Sequence, residues 1–224
     1  MKKSVIILGI LMIILTELLL LLDLEVGFYA YLIVISVIFL FLSGESVLGK
    51  DVKIFLFLLI LPIARISLFF VDFGYYWNVL IFYSIILFLS VYYIFELRIN
   101  PGFIRKNLAL FPLIIFLAII IGFVSGIFVG FPSMVLIALL PLSVFAEEIL
   151  FRGLIQNFLR KEFSPVYSIF FTALIAGIFA ASQGVSFFIV FFLFSLFNGI
   201  VYNSTENLYL TIIFNLVFSV ILFF

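Results

Sequence analysis

Residues 134–161 read MVLIALLPLSVFAEEILFRGLIQNFLRK, an apolar run from Met134 to Leu159 that is interrupted by only three ionisable side chains, Glu147, Glu148 and Arg152. The run is long enough to cross a bilayer as a helix at 1.5 Å per residue. A charge held in hydrocarbon costs about 2.5 to 3.5 kcal/mol on insertion scales, so three together require mutual compensation or a water-lined cavity. Glu148 and Arg152 stand four residues apart, one turn above each other on one helix face, and are placed to pair. Glu147 is rotated by about 100° from its neighbour and is free to face another wall. The cluster is therefore the leading candidate for a functional site, and the membrane is the leading candidate for its solvent.

Composition supports that solvent. The chain of 224 residues is 68% hydrophobic and 10% charged, with a mean hydropathy of +1.53. Such a sequence cannot stay soluble as a globular domain. Lys and Arg balance Asp and Glu, and no basic stripe exists for nucleic acid to bind. The chain has no Cys and no His, which removes disulfides, thiolate nucleophiles and the commonest transition-metal ligands. No cofactor and no metal is expected; any bound metal would have to be held by carboxylate, amide and water oxygens.

Working outward from the motif, apolar stretches predict spans at Val5–Leu22, Gly27–Leu42, Ile54–Val71, Tyr75–Phe95 and Leu108–Val129 before it, and at Val166–Ser182, Ser186–Tyr202 and Asn207–Phe224 after it. The first is read as an uncleaved helix, since it is too long for a signal-peptide core and no small-x-small site follows. The fold class is all-α: a polytopic membrane helix bundle of about eight to nine transmembrane helices, the second and eighth segments being short enough to tilt or re-enter. Lys2, Lys3, Lys50, Lys53, Arg98, Arg105, Lys106, Arg160 and Lys161 all fall on one side when the N-terminus is cytoplasmic, with Asp23, Glu25 and Asp72 opposite. This predicts a multi-pass protein of the cell membrane. Gly122, Gly126 and Gly130 form a four-residue stripe suited to helix packing. Glu17 and Arg65 lie at similar depths and are read first as a structural ion pair, second as cavity residues.

The pattern Glu147-Glu148-x-x-x-Arg152 resembles the first motif of the CPBP family, the intramembrane proteins that include type II CAAX prenyl endopeptidases and bacteriocin-processing or immunity proteins. The stretch Phe179-Ala180-Ala181-Ser182-Gln183 is similar to the second motif, Phe-x-x-x-His, with Gln183 at the histidine position. Asn207-Leu208-Tyr209 matches the turn before the third motif, which puts Asn215 at the second histidine position and Ser219 at the asparagine that follows. The resemblance implies a core over residues 104–224 behind N-terminal helices 1–103, together one membrane domain around a polar cavity facing the cytoplasm. In that family the first Glu activates a water, and two His and an Asn complete the site. Glu147, Glu148, Arg152, Gln183 and Asn215 are accordingly the expected site residues. Depth arithmetic places Asn215 about 12 Å and Glu147 about 16 Å from the inner ends of their helices but Gln183 about 25 Å from the start of its own, which calls for a tilted or deeper-starting helix there.

Gln183 and Asn215 can donate hydrogen bonds to an oxyanion, but an amide does not exchange a proton near neutral pH as imidazole does. The favoured reading is a catalytically degenerate family member that binds a peptide or partner helix. An atypical glutamate-dependent intramembrane peptidase is the alternative, and a small transporter the third. Expected partners are the lipid bilayer and a hydrophobic or prenylated peptide or partner membrane protein, with homo-oligomerisation left open. Asn157, Asn198, Asn203 and Glu206 are read as helix–helix hydrogen bonds or loop caps.

Overall fold

A computed structural model describes residues 2–43, 60–70, 74–102, 109, 111–125, 134–181 and 184–223. Among them every regular element is helical: α1 (Lys2–Leu22), α2 (Leu24–Ser43), α3 (Ile60–Phe70), α4 (Tyr75–Glu96), α5 (Phe111–Ser125), α6 (Met134–Glu148), a π-helical stretch (Ile149–Gln156), α7 (Asn157–Glu162), α8 (Pro165–Ala180), α9 (Val185–Thr205) and α10 (Leu208–Phe223). Helices that satisfy their own backbone are what an apolar chain must form where water is excluded. α4 and α9 hold apolar spans of 21 residues, Tyr76–Glu96 and Val185–Thr205, with mean hydropathy 2.1 and 2.2, long and apolar enough to cross a membrane. Large side chains such as Phe88 and Leu15 point outward at 71% and 58% exposure, as a lipid-facing surface requires. The chain is a helical membrane protein.

Local chemistry sets the helix ends. Asp23 accepts from the backbone N–H groups of Glu25 (2.8 Å) and Val26 (3.0 Å) and so caps α2, which brings the acidic turn into the helix start. Pro165 opens α8 behind an extended Ser164, where its missing N–H removes no helical bond. Glu206 closes α9 in the left-handed conformation (φ 51°), and Asn207 then caps α10 by accepting from Tyr209 N–H at 3.0 Å. Gly102 also has positive φ (77°); a side chain there would sit 2.6 Å from the Glu206 carbonyl, so only glycine allows its own carbonyl to accept from Leu208 N–H at 2.9 Å.

The motif helix is the centre of the bundle. α6 and the π stretch pack against α4 on one side and α10 on another, with α8 and α9 closing the π stretch. α1 pairs with α2 and touches α8, while α5 packs on α10 and α8 runs along α9. Ile6, Ile10, Ile60, Leu61, Ile86, Leu150, Leu154 and Leu159 form the dry interior, each no more than 2% exposed.

One expectation is corrected. The motif run is not a regular α-helix: from Ile149 to Gln156 it widens to π geometry, and all eight residues are buried. Such widenings recur at functional sites because they re-aim side chains without breaking the helix. Several sequence expectations fall outside the described residues: Gln183, Asp72, Gly126 and Gly130, the start of the third span, and the loops carrying Lys50, Lys53, Arg105 and Lys106.

Candidate functional site

Glu147 and Glu148 end α6 and face different walls, as their rotation requires. Glu147 accepts from the Tyr83 hydroxyl of α4 at 3.0 Å through Oε1, and from the Asn215 amide of α10 at 3.4 Å through Oε2. Glu148, 1% exposed, accepts through Oε1 from Asn198 of α9 and Asn215 of α10, both at 2.8 Å. Ser219, one turn along α10, donates to Asn215 Oδ1 at 3.1 Å and so fixes which way the amide points.

Arg152 pairs with Glu148, but loosely: Nε lies 3.6 Å from Oε2. That is ion-pair distance rather than hydrogen-bond distance. Its hydrogen bonds go instead to α9, from Nη2 to the Ser195 hydroxyl (2.8 Å) and carbonyl (3.1 Å). The guanidinium is 1% exposed, so this ion pair and the Ser195 bonds carry its compensation.

A second charged group borders the same space. Arg65 of α3 pairs with Glu17 of α1 through Nε at 3.1 Å, and Tyr31 of α2 donates to the same Glu17 oxygen. Nη2 of Arg65 donates to the Phe179 carbonyl at 2.6 Å, and the guanidinium lies 4.4 Å from the centroid of the Phe179 ring. Arg65 thereby caps the C-terminal end of α8, where helix carbonyls lack partners and a cation is favoured. The sequence weighed a structural pair against a cavity role; Arg65 makes the ion pair and lines the cavity.

These groups surround a cavity of about 120 Å³ whose polar wall is Arg65, Tyr83, Glu147, Glu148, Arg152, Ser195 and Asn215. Phe82, Phe151 and Phe179 supply the apolar wall, Phe179 stacking on Phe82 at 5.6 Å and meeting Phe151 edge-on at 6.2 Å. α8 thus reaches the depth of the motif four residues before Gln183, whose own placement lies outside the described residues. A larger groove of about 880 Å³ between Ile63 of α3 and α4 is apolar apart from Ser84 and holds none of this chemistry.

Of the expected site residues, Glu147, Glu148, Arg152 and Asn215 are brought together. Tyr83 and Ser195 were not anticipated, and Asn198, read as a packing hydrogen bond, is a direct partner of Glu148. A lone hydroxyl inside an apolar span gives little warning of such a role, whereas Asn198 shows the one usable signal, a buried amide in a span rich in Phe.

Neither curated proteins nor solved structures yield a match to the chain. Residues 129–221 match the family model described as type II CAAX prenyl endopeptidase Rce1-like. That stretch contains the paired glutamates, Arg152, Phe179 and Asn215, whereas Glu17, Arg65 and Tyr83 lie upstream of it. Over residues 129–221, less than half of its length, the chain is thus similar to the type II CAAX prenyl endopeptidase Rce1-like family, which agrees with the resemblance carried by Glu147, Glu148 and Arg152.

Proposed function

We propose that this protein is a non-hydrolytic member of its family, which binds a hydrophobic or prenylated peptide, or a partner helix, at the cavity beside Glu147. It would do so in the cell membrane with its N-terminus in the cytoplasm. The observation that carries the reading is the pairing of both Glu147 oxygens with Tyr83 and Asn215 in a chain without histidine. A general base must hand its proton to a leaving amine, and the amide of Asn215 can neither take nor return one near neutral pH. The cavity volume points the same way: about 120 Å³ suits a few waters or one side chain, well below the pockets that enclose whole ligands. A bound segment would place one polar side chain there and rest its apolar remainder on the bundle.

One observation favours the runner-up, an atypical glutamate-dependent peptidase. Tyr83 and Asn215 are donors beside a carboxylate, the arrangement in which an activated water and an oxyanion are stabilised. Equilibrium binding of a farnesylated fluorescent peptide to the protein in lipid nanodiscs, followed by mass spectrometry of the recovered peptide, tests the proposal. Saturable binding with the peptide recovered intact is expected. Absence of saturable binding, or recovery of cleaved peptide, would contradict it.

A further inference from the structure

The seam between the π stretch and α9 is built as a ladder of polar rungs. Glu148, Arg152 and Gln156 recur every four residues on the motif helix, and Ser195, Gly199 and Asn203 recur likewise on α9. Two rungs are direct: Arg152 Nη2 to Ser195, and Gln156 Nε2 to the Gly199 carbonyl at 2.9 Å. Each leaves other polar atoms over. Among the described residues, six of the eight buried side-chain polar atoms with no hydrogen-bond partner in the protein sit on this seam: Glu148 Oε2, Arg152 Nε and Nη1, Gln156 Oε1, Asn198 Oδ1 and Asn203 Oδ1.

Glu148 Oε2 and Arg152 Nε face each other at ion-pair distance, but a dry seam would leave Arg152 Nη1, Gln156 Oε1, Asn198 Oδ1 and Asn203 Oδ1 without a partner, against the strong tendency of buried polar groups to be paired. The unpartnered donors are both on Arg152, with acceptors of Glu148 and Asn198 to one side and of Gln156 and Asn203 to the other, and a water, which both donates and accepts, can bridge such groups when it finds two to four partners. Gly199 allows the close approach of the Gln156 rung, since a Cβ there would come 3.0 Å from Ile169 Cγ2 and 3.3 Å from Gln156 Oε1. Arg152 and Ser195 open the seam to one polar cavity, and Asn157, next in the chain to Gln156, lines another. The first is the cavity beside Glu147; the other is a cavity of about 410 Å³ at the Arg160 and Lys161 end of the bundle, where Asn157 donates to the Tyr202 hydroxyl at 2.6 Å.

We propose that this seam holds a file of bound waters linking the intramembrane carboxylate pair to the Arg160 and Lys161 face of the bundle. The file lets water and protons reach Glu147 and Glu148 without an open pore, and it is a property of the seam whether the site only binds or also hydrolyses.

The chain lacks cysteine, so single thiols report without background. Gln156→Cys and Gly199→Cys place a thiol on the seam from either helix, and Leu154→Cys places one in the same π stretch at a position of 0% exposure among apolar neighbours. Silver ion, close in size to a water, is added to the full chain in nanodiscs, and the loss of maleimide-reactive thiol after denaturation is followed. The seam thiols are expected to react on the order of 100-fold faster than the control, which is reached only through local opening. Equal, slow reaction of seam and control thiols would overturn the proposal. The unmodified chain gives an independent reading by radiolytic hydroxyl-radical labelling, in which radicals arise from bound water. Tyr202, at the end of the file, should be oxidised well ahead of the equally buried Phe214 and Phe218 after correction for intrinsic reactivity; labelling at the same low rate would refute the file whatever the variants do.

Discussion

The side-chain amide of Asn215 donates to Glu148 Oε1 at 2.8 Å and also lies 3.4 Å from the nearer oxygen of Glu147. One amide on α10 therefore bridges two carboxylates on α6, at the position where the family resemblance implies a histidine. Asn215→Ala should lower stability by about 1 to 3 kcal/mol, the cost of leaving buried acceptors short of a donor. Asn215→Asp should cost more, because it sets a third carboxylate against the other two. Unfolding in mixed micelles ranks the pair, and an Asn215→Asp protein as stable as the parent would show that the bridge has been misassigned.

Glu148 and Arg152 are both 1% exposed, and losing either strands the other. Removing one partner of a buried ion pair costs about 3 to 5 kcal/mol. Arg152→Ala should accordingly reduce the yield of folded protein, and Arg152→Ala combined with Glu148→Ala should recover part of it. Arg152→Lys should not rescue fully, since an ammonium cannot reach Glu148 and both Ser195 acceptors with the geometry of a guanidinium. A fully stable Arg152→Ala protein would mean that solvent, not Glu148, compensates the charge.

The Glu17 and Arg65 pair should be asymmetric. The Glu17 side chain is 2% exposed and that of Arg65 is 14%, and Arg65 also holds the Phe179 carbonyl and ring. Arg65→Ala removes the charge partner of a buried carboxylate and uncaps α8, whereas Glu17→Ala leaves Arg65 with those other contacts. Thermal unfolding should place Arg65→Ala clearly below Glu17→Ala. The reverse order would show that Arg65 contributes little to α8.

The proposed orientation can be read from thiol labelling. With the N-terminus in the cytoplasm, Lys161→Cys in intact cells should be shielded from an impermeant maleimide and Glu25→Cys should be labelled; both positions are exposed in the fold. The opposite pattern would invert the bundle.

Much of the site was legible because a helix converts spacing into direction and depth. A spacing of four from Glu148 to Arg152 meant one face, and matched rises brought Glu17 to Arg65 and Asn215 to Glu147. What stayed hidden depended on partners from distant spans. Tyr83 and Ser195 are single hydroxyls among aromatic and aliphatic neighbours, and only tertiary packing aims them at a charge. The π stretch had no local signature either: nothing in the run Ile149–Gln156 marks it off from an α-helix, and it packs against α4, α8 and α9.

In a non-hydrolytic protein, as proposed, Glu147 drives no peptide cleavage. The direct measurement is cleavage of a farnesylated CAAX reporter by the parent protein, by Glu147→Gln, and by the Gln183→His and Asn215→His double variant, each confirmed as folded. Little or no cleavage by the parent is expected, with a weak activity in the double variant that Glu147→Gln abolishes, since imidazoles restore proton exchange near pH 7 beside the carboxylate. Robust cleavage by the parent that disappears in Glu147→Gln would contradict the account and establish a peptidase that works without histidine.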